Sequence, residues 1–393
     1  MNNLISAVIA EFNPFHNGHA YLLNKARENS EAVIAVMSGN FVQRGDIAIY
    51  PKHLRTMFAL KNGADMVITM PAGWSMSGAE NFALGGISLL KNTKIVDRIV
   101  FGCETDKPRL LLETANLLSS TELNHNIKLH LSDGINYAAA RQNAVKKISE
   151  SCANILTSPN NILGVEYILA MKKLNFTPET LAVKRIGADH DSQNISDGFT
   201  SASNIRRLIY NNCEYFSFVP QNILEEMRNN EFSDISLIDN ALLFKLKSLS
   251  LKQIQKLPDI SEGIENRIFE AIKYAQSIDD LCKKIKTKRY TYSRIRRIIL
   301  SACFGIDASY LKNEPPYIQV IGMNCVGKTL LSEMIKRTDL PVIVSNKDIK
   351  NLSGFGKEVF EKESIADDLY GLAFKNIKNS GTAYTMPIIK INS

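Results

Sequence analysis

The stretch that decides the fold is Leu4-Ile5-Ser6-Ala7-Val8-Ile9-Ala10-Glu11-Phe12-Asn13-Pro14-Phe15-His16-Asn17-Gly18-His19-Ala20. Its opening residues form an apolar run of strand length, and the pattern breaks at Glu11. Asn13 and Pro14 favour a turn, Gly18 lets backbone approach a ligand closely, and Tyr21-Leu22-Leu23 begins a helical pattern that runs to about Arg27. Strand, turn and helix in that order offer backbone N–H groups and the positive end of a helix dipole to an anion such as phosphate. His16 and His19, three residues apart, share one face of the first helical turn. No Cys or acidic residue is spaced to complete a zinc site with them, so no metal centre is expected.

Working outward, apolar runs at 4–10, 32–37, 66–70 and 95–101 alternate with helical patterns near 19–28, 51–62, 79–91 and 107–118. This β-α-β-α order predicts a doubly wound parallel sheet of Rossmann-like type, with ligands at the carboxyl ends of the strands. The functional loops are then Glu11–His19, Ser38–Asp46, Pro71–Gly78 and Gly102–Asp106. A further strand at Leu181–Ile186 completes a first domain over 1–212. Residues 213–312 are helical in pattern throughout, and Glu314-Pro315-Pro316 marks a linker into a small α/β tail, 313–393.

The chain has 393 residues, 45% of them hydrophobic and 22% charged, which is ordinary globular composition. The N-terminal apolar run is far shorter than the ~18 residues a membrane span needs, so a cytosolic protein with no membrane association is expected. Cys103, Cys152, Cys213, Cys282, Cys303 and Cys325 are scattered with no C-x-x-C pair, which reads as free thiols. The net charge of +7 is mild, but its distribution is not even. Lys283, Lys284, Lys286, Lys288, Arg289, Arg294, Arg296 and Arg297 fall between Leu281 and Ile306 without one acidic residue. That stretch is an electrostatic footprint for a polyanion, and Tyr290 and Tyr292 within it can stack on bases.

Two later segments suit a nucleotide. Thr200-Ser201-Ala202-Ser203-Asn204-Ile205-Arg206 reads as a hydroxyl-rich helix start with an arginine in its first turns, fit for the β- and γ-phosphates. Ser158-Pro159-Asn160-Asn161-Ile162-Leu163-Gly164 is another loop-to-helix entry, in which either asparagine can cap the helix or meet a ligand. Arg185, at the end of a predicted strand, points to the ligand crevice, with Asp189 as its other partner.

His16-Asn17-Gly18-His19 after an N-terminal strand resembles the signature of the HIGH-type nucleotidyltransferases, and Ser201, Ser203, Ile205 and Arg206 match their S-S-T-x-I-R element, with Ala202 in place of a hydroxyl. Met37-Ser38-Gly39-Asn40-Phe41-Val42-Gln43-Arg44-Gly45-Asp46, Asn62-Gly63-Ala64-Asp65, Phe101-Gly102, Pro159 to Gly164 and Thr287-Lys288-Arg289-Tyr290 narrow the resemblance to the bacterial tRNA(Met) cytidine acetate ligase family. The resemblance implies an ATP-dependent ligase, with Mg2+ accompanying the nucleotide. Such an enzyme converts acetate to acetyl-adenylate and passes the acetyl group to N4 of the wobble cytidine of elongator tRNA(Met). It implies ATP contacts on Ala7–Ala20, Gly102, one of Asn160 and Asn161, Arg185 and Ile186, with His16, His19 and Arg206 catalytic. No protein partner is implied. Gln43, Arg44 and Asp46 are candidates for the cytidine pocket. Two rival readings are an adenylyltransferase acting on a small phosphorylated metabolite and an RNA-binding protein on a nucleotidyltransferase scaffold.

Gly322-Met323-Asn324-Cys325-Val326-Gly327-Lys328-Thr329 satisfies the P-loop pattern G-x-x-x-x-G-K-T. Only about sixty-five residues follow it, and Leu340 to Ser345 ends in Ser rather than in a magnesium-binding Asp. The match is therefore read as coincidence.

Overall fold

The computed structural model describes residues 4–132, 135–186 and 198–392. Strands β1 (Ile5–Ala10), β2 (Ala32–Ser38), β5 (Met66–Met70), β6 (Arg98–Cys103) and β7 (Glu179–Lys184) form a parallel sheet, while β3 (Phe41–Val42) and β4 (Asp46–Ile47) make a small hairpin beside it. β8 (Ile318–Met323) adds antiparallel to β5, and β9 (Val342–Ile343) and β10 (Ile389–Lys390) pair with β8. The order is β10-β8-β5-β2-β1-β6-β7.

Successive strands run outward from β1 to β2 and β5, then the chain crosses back to place β6 on the other side of β1. Connections therefore leave β1 and β6 in opposite directions, opening a crevice beyond their carboxyl ends. Continuous apolar strands follow from burial on both faces. Ala7, Ile9, Ile34 and Val36 pack into one core with Phe82, Leu89 and Val165, which belong to the helices Ala79–Thr93 and Pro159–Lys173. Val8, Val33, Ala35 and Val100 face the other core, with Leu23 and Phe58 from the helices Asn17–Arg27 and Lys52–Lys61.

The predicted boundaries at 212 and 313 do not separate independent bodies. Ile223 and Met227, on the helix Gln221–Asn229, share the core of Val8, so the chain beyond residue 213 returns to the sheet. The tail is likewise not a separate α/β unit, because β8 extends the first sheet across β5. Its helix Gly354–Gly371 buries Phe360 and Tyr370 in the main core, where Tyr370 and Phe304 each pack their rings against Phe41.

The P-loop pattern has no loop. β8 ends at Met323, Asn324 caps the next helix, and Cys325–Arg337 is already helical, so Gly327 and Lys328 lie within its first turn. A Cβ on Gly327 would lie 2.0 Å from the Asp65 carbonyl oxygen, which explains the glycine by close packing onto the preceding β5 turn.

Candidate active site at the β1–β6 crevice

Beyond β1, the turn Glu11 to His16 leads into the helix Asn17–Arg27. Phe12 has φ of +50°, a costly conformation for a bulky residue, and it is held by full burial of its ring against Phe15 at 5.0 Å. His16 is the helix N-cap, and its Nδ1 accepts the Gly18 N–H at 3.0 Å. His19 Nδ1 accepts the His16 N–H at 3.3 Å, so two imidazoles form the reciprocal cap that Ser and Glu usually make. Their rings stack with centroids 3.8 Å apart. A Cβ on Gly18 would lie 2.8 Å from His16 Cε1, so the cap needs glycine there.

An uncharged imidazole that accepts at Nδ1 carries its proton on Nε2. The cap thus leaves each ring an N–H donor. Burial, and secondarily the charge of Arg185, press the His19 pKa down to about 3, so His19 is neutral at physiological pH.

Four further elements close around this turn. Ser201 caps the helix Ala202–Tyr210, with Oγ accepting the Asn204 N–H at 3.1 Å and lying 3.0 Å from Ser203 Oγ. Arg206 on that helix donates to the Asn13 carbonyl at 2.6 Å, which anchors it over the turn. Arg185 follows β7, its N–H donating to the Cys103 carbonyl at 2.9 Å; desolvation lowers its pKa against the opposing charge of Glu104. Finally, Arg55 donates to the carbonyls of Glu11, Ser38, Gly39 and Tyr50, fastening the loop after β2 to the turn after β1. Within that loop the Gln43 N–H donates to Glu11 Oε1 at 2.8 Å.

These elements enclose a cavity of about 190 Å³. Ile9, Ala10, Glu11, Asn13, His16, Gly18 and His19 line it, together with Gly102, Asn160, Arg185, Ile186, Ser201, Ser203 and Arg206. Other residues of the predicted ATP segment do not reach it. Ala7, Val8, Phe12 and Phe15 are core residues because they alternate inward on the strand or support the turn. Pro14, Asn17 and Ala20 are off the lining, and Asn17 Nδ2 instead donates to the Gly198 and Ser217 carbonyls, each at 2.9 Å.

The two adjacent asparagines are separated by their partners. Asn161 Oδ1 accepts the N–H groups of Glu104 and Thr105 at 2.8 and 3.2 Å, so it holds the loop after β6 and is turned away from the cavity. Asn160 lines the cavity, and its Nδ2 donates to Glu104 Oε1 at 2.5 Å. Glu104 also accepts the Asn160 and Asn161 N–H groups, so a carboxylate of the protein fills this helix N-terminus. Asp189 lies outside the described residues. Sequence reasoning missed Phe82 on the lining, since an apolar helix residue carries no local signal of a site.

Among the described residues there is no group of three His, Cys, Asp or Glu able to hold a metal ion. Among the described residues, Glu11 is the one carboxylate lining the cavity.

A second cavity, about 1010 Å³, lies between the sheet domain and the helical segment. Arg289, Arg294 and Arg297 line it opposite Lys172, Lys173 and Tyr137. The basic segment is less uniformly positive in space than in sequence. Arg294 pairs with Glu262 at 3.3 Å, Arg297 with Asp259 at 2.8 Å, and Arg296 with Asp46 at 3.6 Å. Lys283 and Lys284 pair with Asp279 and Asp280 one turn earlier, while Lys288 is exposed. Tyr290 is buried with its hydroxyl donating to the Glu262 carbonyl at 2.6 Å, so it supports the fold and does not offer a stacking face. Asp46 is off the smaller cavity, whereas Gln43 and Arg44 line it. A Cβ on Gly45 would meet the Arg297 N at 2.6 Å, so the same loop touches the nucleotide-sized cavity and the basic helix Tyr292–Phe304.

No helix among the described residues is long and apolar enough to cross a membrane. The family model described as HIGH Nucleotidyl Transferase matches residues 3–384. The tRNA(Met) cytidine acetate ligase of Thermoanaerobacter sp. (strain X514) is 38% identical, with 98% of this chain and 100% of that protein covered. The protein of the same name from Clostridium kluyveri is also 38% identical, with 98% of each chain covered. Among solved structures, apo Thermotoga maritima TmcAL superposes with a TM-score of 0.91 at 28% identity, over 99% of this chain and 100% of that one. The same protein bound with alpha-thio ATP gives 0.90 at 27% identity over the same shares. This chain belongs to the HIGH nucleotidyltransferases and, within them, to the tRNA(Met) cytidine acetate ligase family.

Proposed function

We propose that this protein activates acetate with ATP and transfers the acetyl group to N4 of the wobble cytidine of elongator tRNA(Met). The observation that carries the reading is the reciprocal histidine cap at the β1–β6 crevice, whose two Nε2–H donors lie in a cavity also lined by Arg185 and Arg206. Acetate is already ionised at neutral pH, so attack on the α-phosphate needs no base. What it needs is alignment and neutralisation of the charge that grows on phosphate oxygens, and fixed N–H donors and guanidinium groups supply both. His16 and His19 serve the α-phosphate, and Arg206 with the Ser201–Ser203 helix start serves the departing pyrophosphate. Asn160, Arg185, Gly102 and Ile186 hold the rest of the nucleotide.

Transfer requires the target base to leave its stack and enter the cavity. Gln43 and Arg44 stand at the cavity on the loop that also meets the basic helix, which supports delivery of the base from that side. Lys283, Lys284, Lys288, Arg289, Arg294, Arg296 and Arg297 are the candidate RNA contacts. The test is incubation with ATP, radiolabelled acetate and total bacterial tRNA, followed by nucleoside mass spectrometry. N4-acetylcytidine in tRNA(Met) is the expected product, and acetate-independent adenylylation of a small molecule would overturn the reading.

A further inference from the structure

The second half of the proposed reaction poses a problem the histidines cannot solve. Cytidine N4 must lose a proton when its bond to the acetyl carbon forms. His19 Nδ1 is occupied by the His16 N–H and His16 Nδ1 by the Gly18 N–H, so both rings face the cavity as donors. Arg44, Arg185 and Arg206 are cations without a lone pair to offer. Tyr167 is a phenol whose ionisation burial pushes far upward. Among the described lining residues, one carboxylate remains.

We propose that Glu11 is the catalytic proton acceptor of acetyl transfer, taking the proton of cytidine N4 as the amine attacks acetyl-adenylate. The assignment rests on the acetate ligase reading above. In the step, the N4–C bond forms and the bond from the acetyl carbon to the bridging phosphate oxygen breaks. AMP leaves with that electron pair, and the N4 proton passes to the Glu11 carboxylate.

The surroundings of Glu11 suit this role. One oxygen is oriented by the Gln43 N–H at 2.8 Å, and Arg55 holds the residue's own carbonyl at 2.6 Å, so side chain and backbone are both fixed. Gln43 and Arg44 place the acceptor on the side facing the basic helix. Burial raises the Glu11 pKa above the ordinary carboxylate range, while the Gln43 N–H, Arg206, Arg44 and Arg55 oppose it. Desolvation makes the carboxylate a stronger base, and the three arginines favour its ionised form. Tyr167 is the remaining titratable group that senses it.

Glu11→Gln keeps an oxygen to accept the Gln43 N–H and removes only basicity. Two measurements on the full chain separate the steps: acetate-dependent ATP–pyrophosphate exchange, and single-turnover acetyl transfer to tRNA(Met) from enzyme-bound acetyl-adenylate. The variant is expected to retain exchange within a few-fold and to lose about 100-fold or more in transfer. Equal loss in both steps would make Glu11 a residue of ATP positioning, and undiminished transfer would assign the proton elsewhere; either overturns the proposal. Wild-type enzyme lacking acetate-dependent exchange would instead overturn the acetate ligase reading itself.

Discussion

His16 and His19 each use Nδ1 to accept a backbone N–H within their own helix turn, and their rings stack at 3.8 Å. The helix cap and the donors proposed to face phosphate are therefore one object. His19→Ala is expected to lower acetate-dependent adenylate formation by about 100-fold or more. Affinity for tRNA, measured by filter binding, is expected to stay near wild type because the basic helix is a separate element.

The same histidine makes stability depend on pH. In the unfolded chain His19 takes up a proton below about 6.5, while in the fold it resists protonation down to about 3. The unfolded state binds more protons across that window, so stability present above pH 6.5 is lost as the pH falls through it. Urea midpoints at about pH 7.5 and about pH 5 should differ more for wild type than for His19→Gln.

Lys328→Ala should change neither ATP binding nor turnover. Its residue sits inside a helix that begins directly after the Asn324 cap, with no loop to surround a phosphate. A tenfold loss of ATP affinity, read by isothermal titration, would place the nucleotide somewhere other than the β1–β6 crevice.

Charge removal at Lys283, Lys284 and Lys288 should weaken tRNA binding and flatten its dependence on salt. The carboxylate partners of Lys283 and Lys284 lie one turn earlier on the same helix near the surface, so phosphates can displace them. Each lost phosphate contact should reduce the slope of log affinity against log salt by about 0.7. Arg296 and Arg297 are poorer probes, since each also ties the helix to Asp46 or Asp259.

Asp367→Ala should destabilise the whole molecule by about 3–5 kcal/mol, because it strips a partner from the buried Lys52 ammonium. Lys52 Nζ lies 2.6 Å from Asp367 and 3.4 Å from Glu363, both almost fully buried. A denaturant midpoint unchanged from wild type would show that this cluster has found another partner.

Much of the candidate site was legible because its elements are local. Strand, turn, histidine pair and helix lie between Ile5 and Arg27, and a doubly wound sheet is implied by β-α-β repetition. What the sequence hid depends on distant pairing. Asn160 and Asn161 are neighbours of one residue type, and only the position of Glu104 after another strand distinguishes them. The acid-free run from Leu281 to Ile306 looked uniformly basic, yet Asp46, Asp259 and Glu262 arrive from elsewhere in the chain. The tail read as a separate unit because nothing near Ile318 announces β5 as its partner. The β3–β4 hairpin, with two residues in each strand, is too short to leave a periodic trace.

The helix Gly354–Gly371 ties the end of the chain to its beginning. Glu363 accepts the Ala72 N–H at 2.7 Å, and Asp367 accepts from Asn40, whose side-chain oxygen in turn holds the Lys52 N–H. The loop carrying Gln43 and Arg44 is thus braced by residues synthesised more than three hundred positions later. During translation, a ribosome must pass Asp367 before this loop has its support. A product ended by a premature stop codon upstream of Glu363 is therefore not a smaller ligase but an incomplete one, with a buried ammonium awaiting its carboxylates. Arrival of that helix and bracing of the loop become the same event.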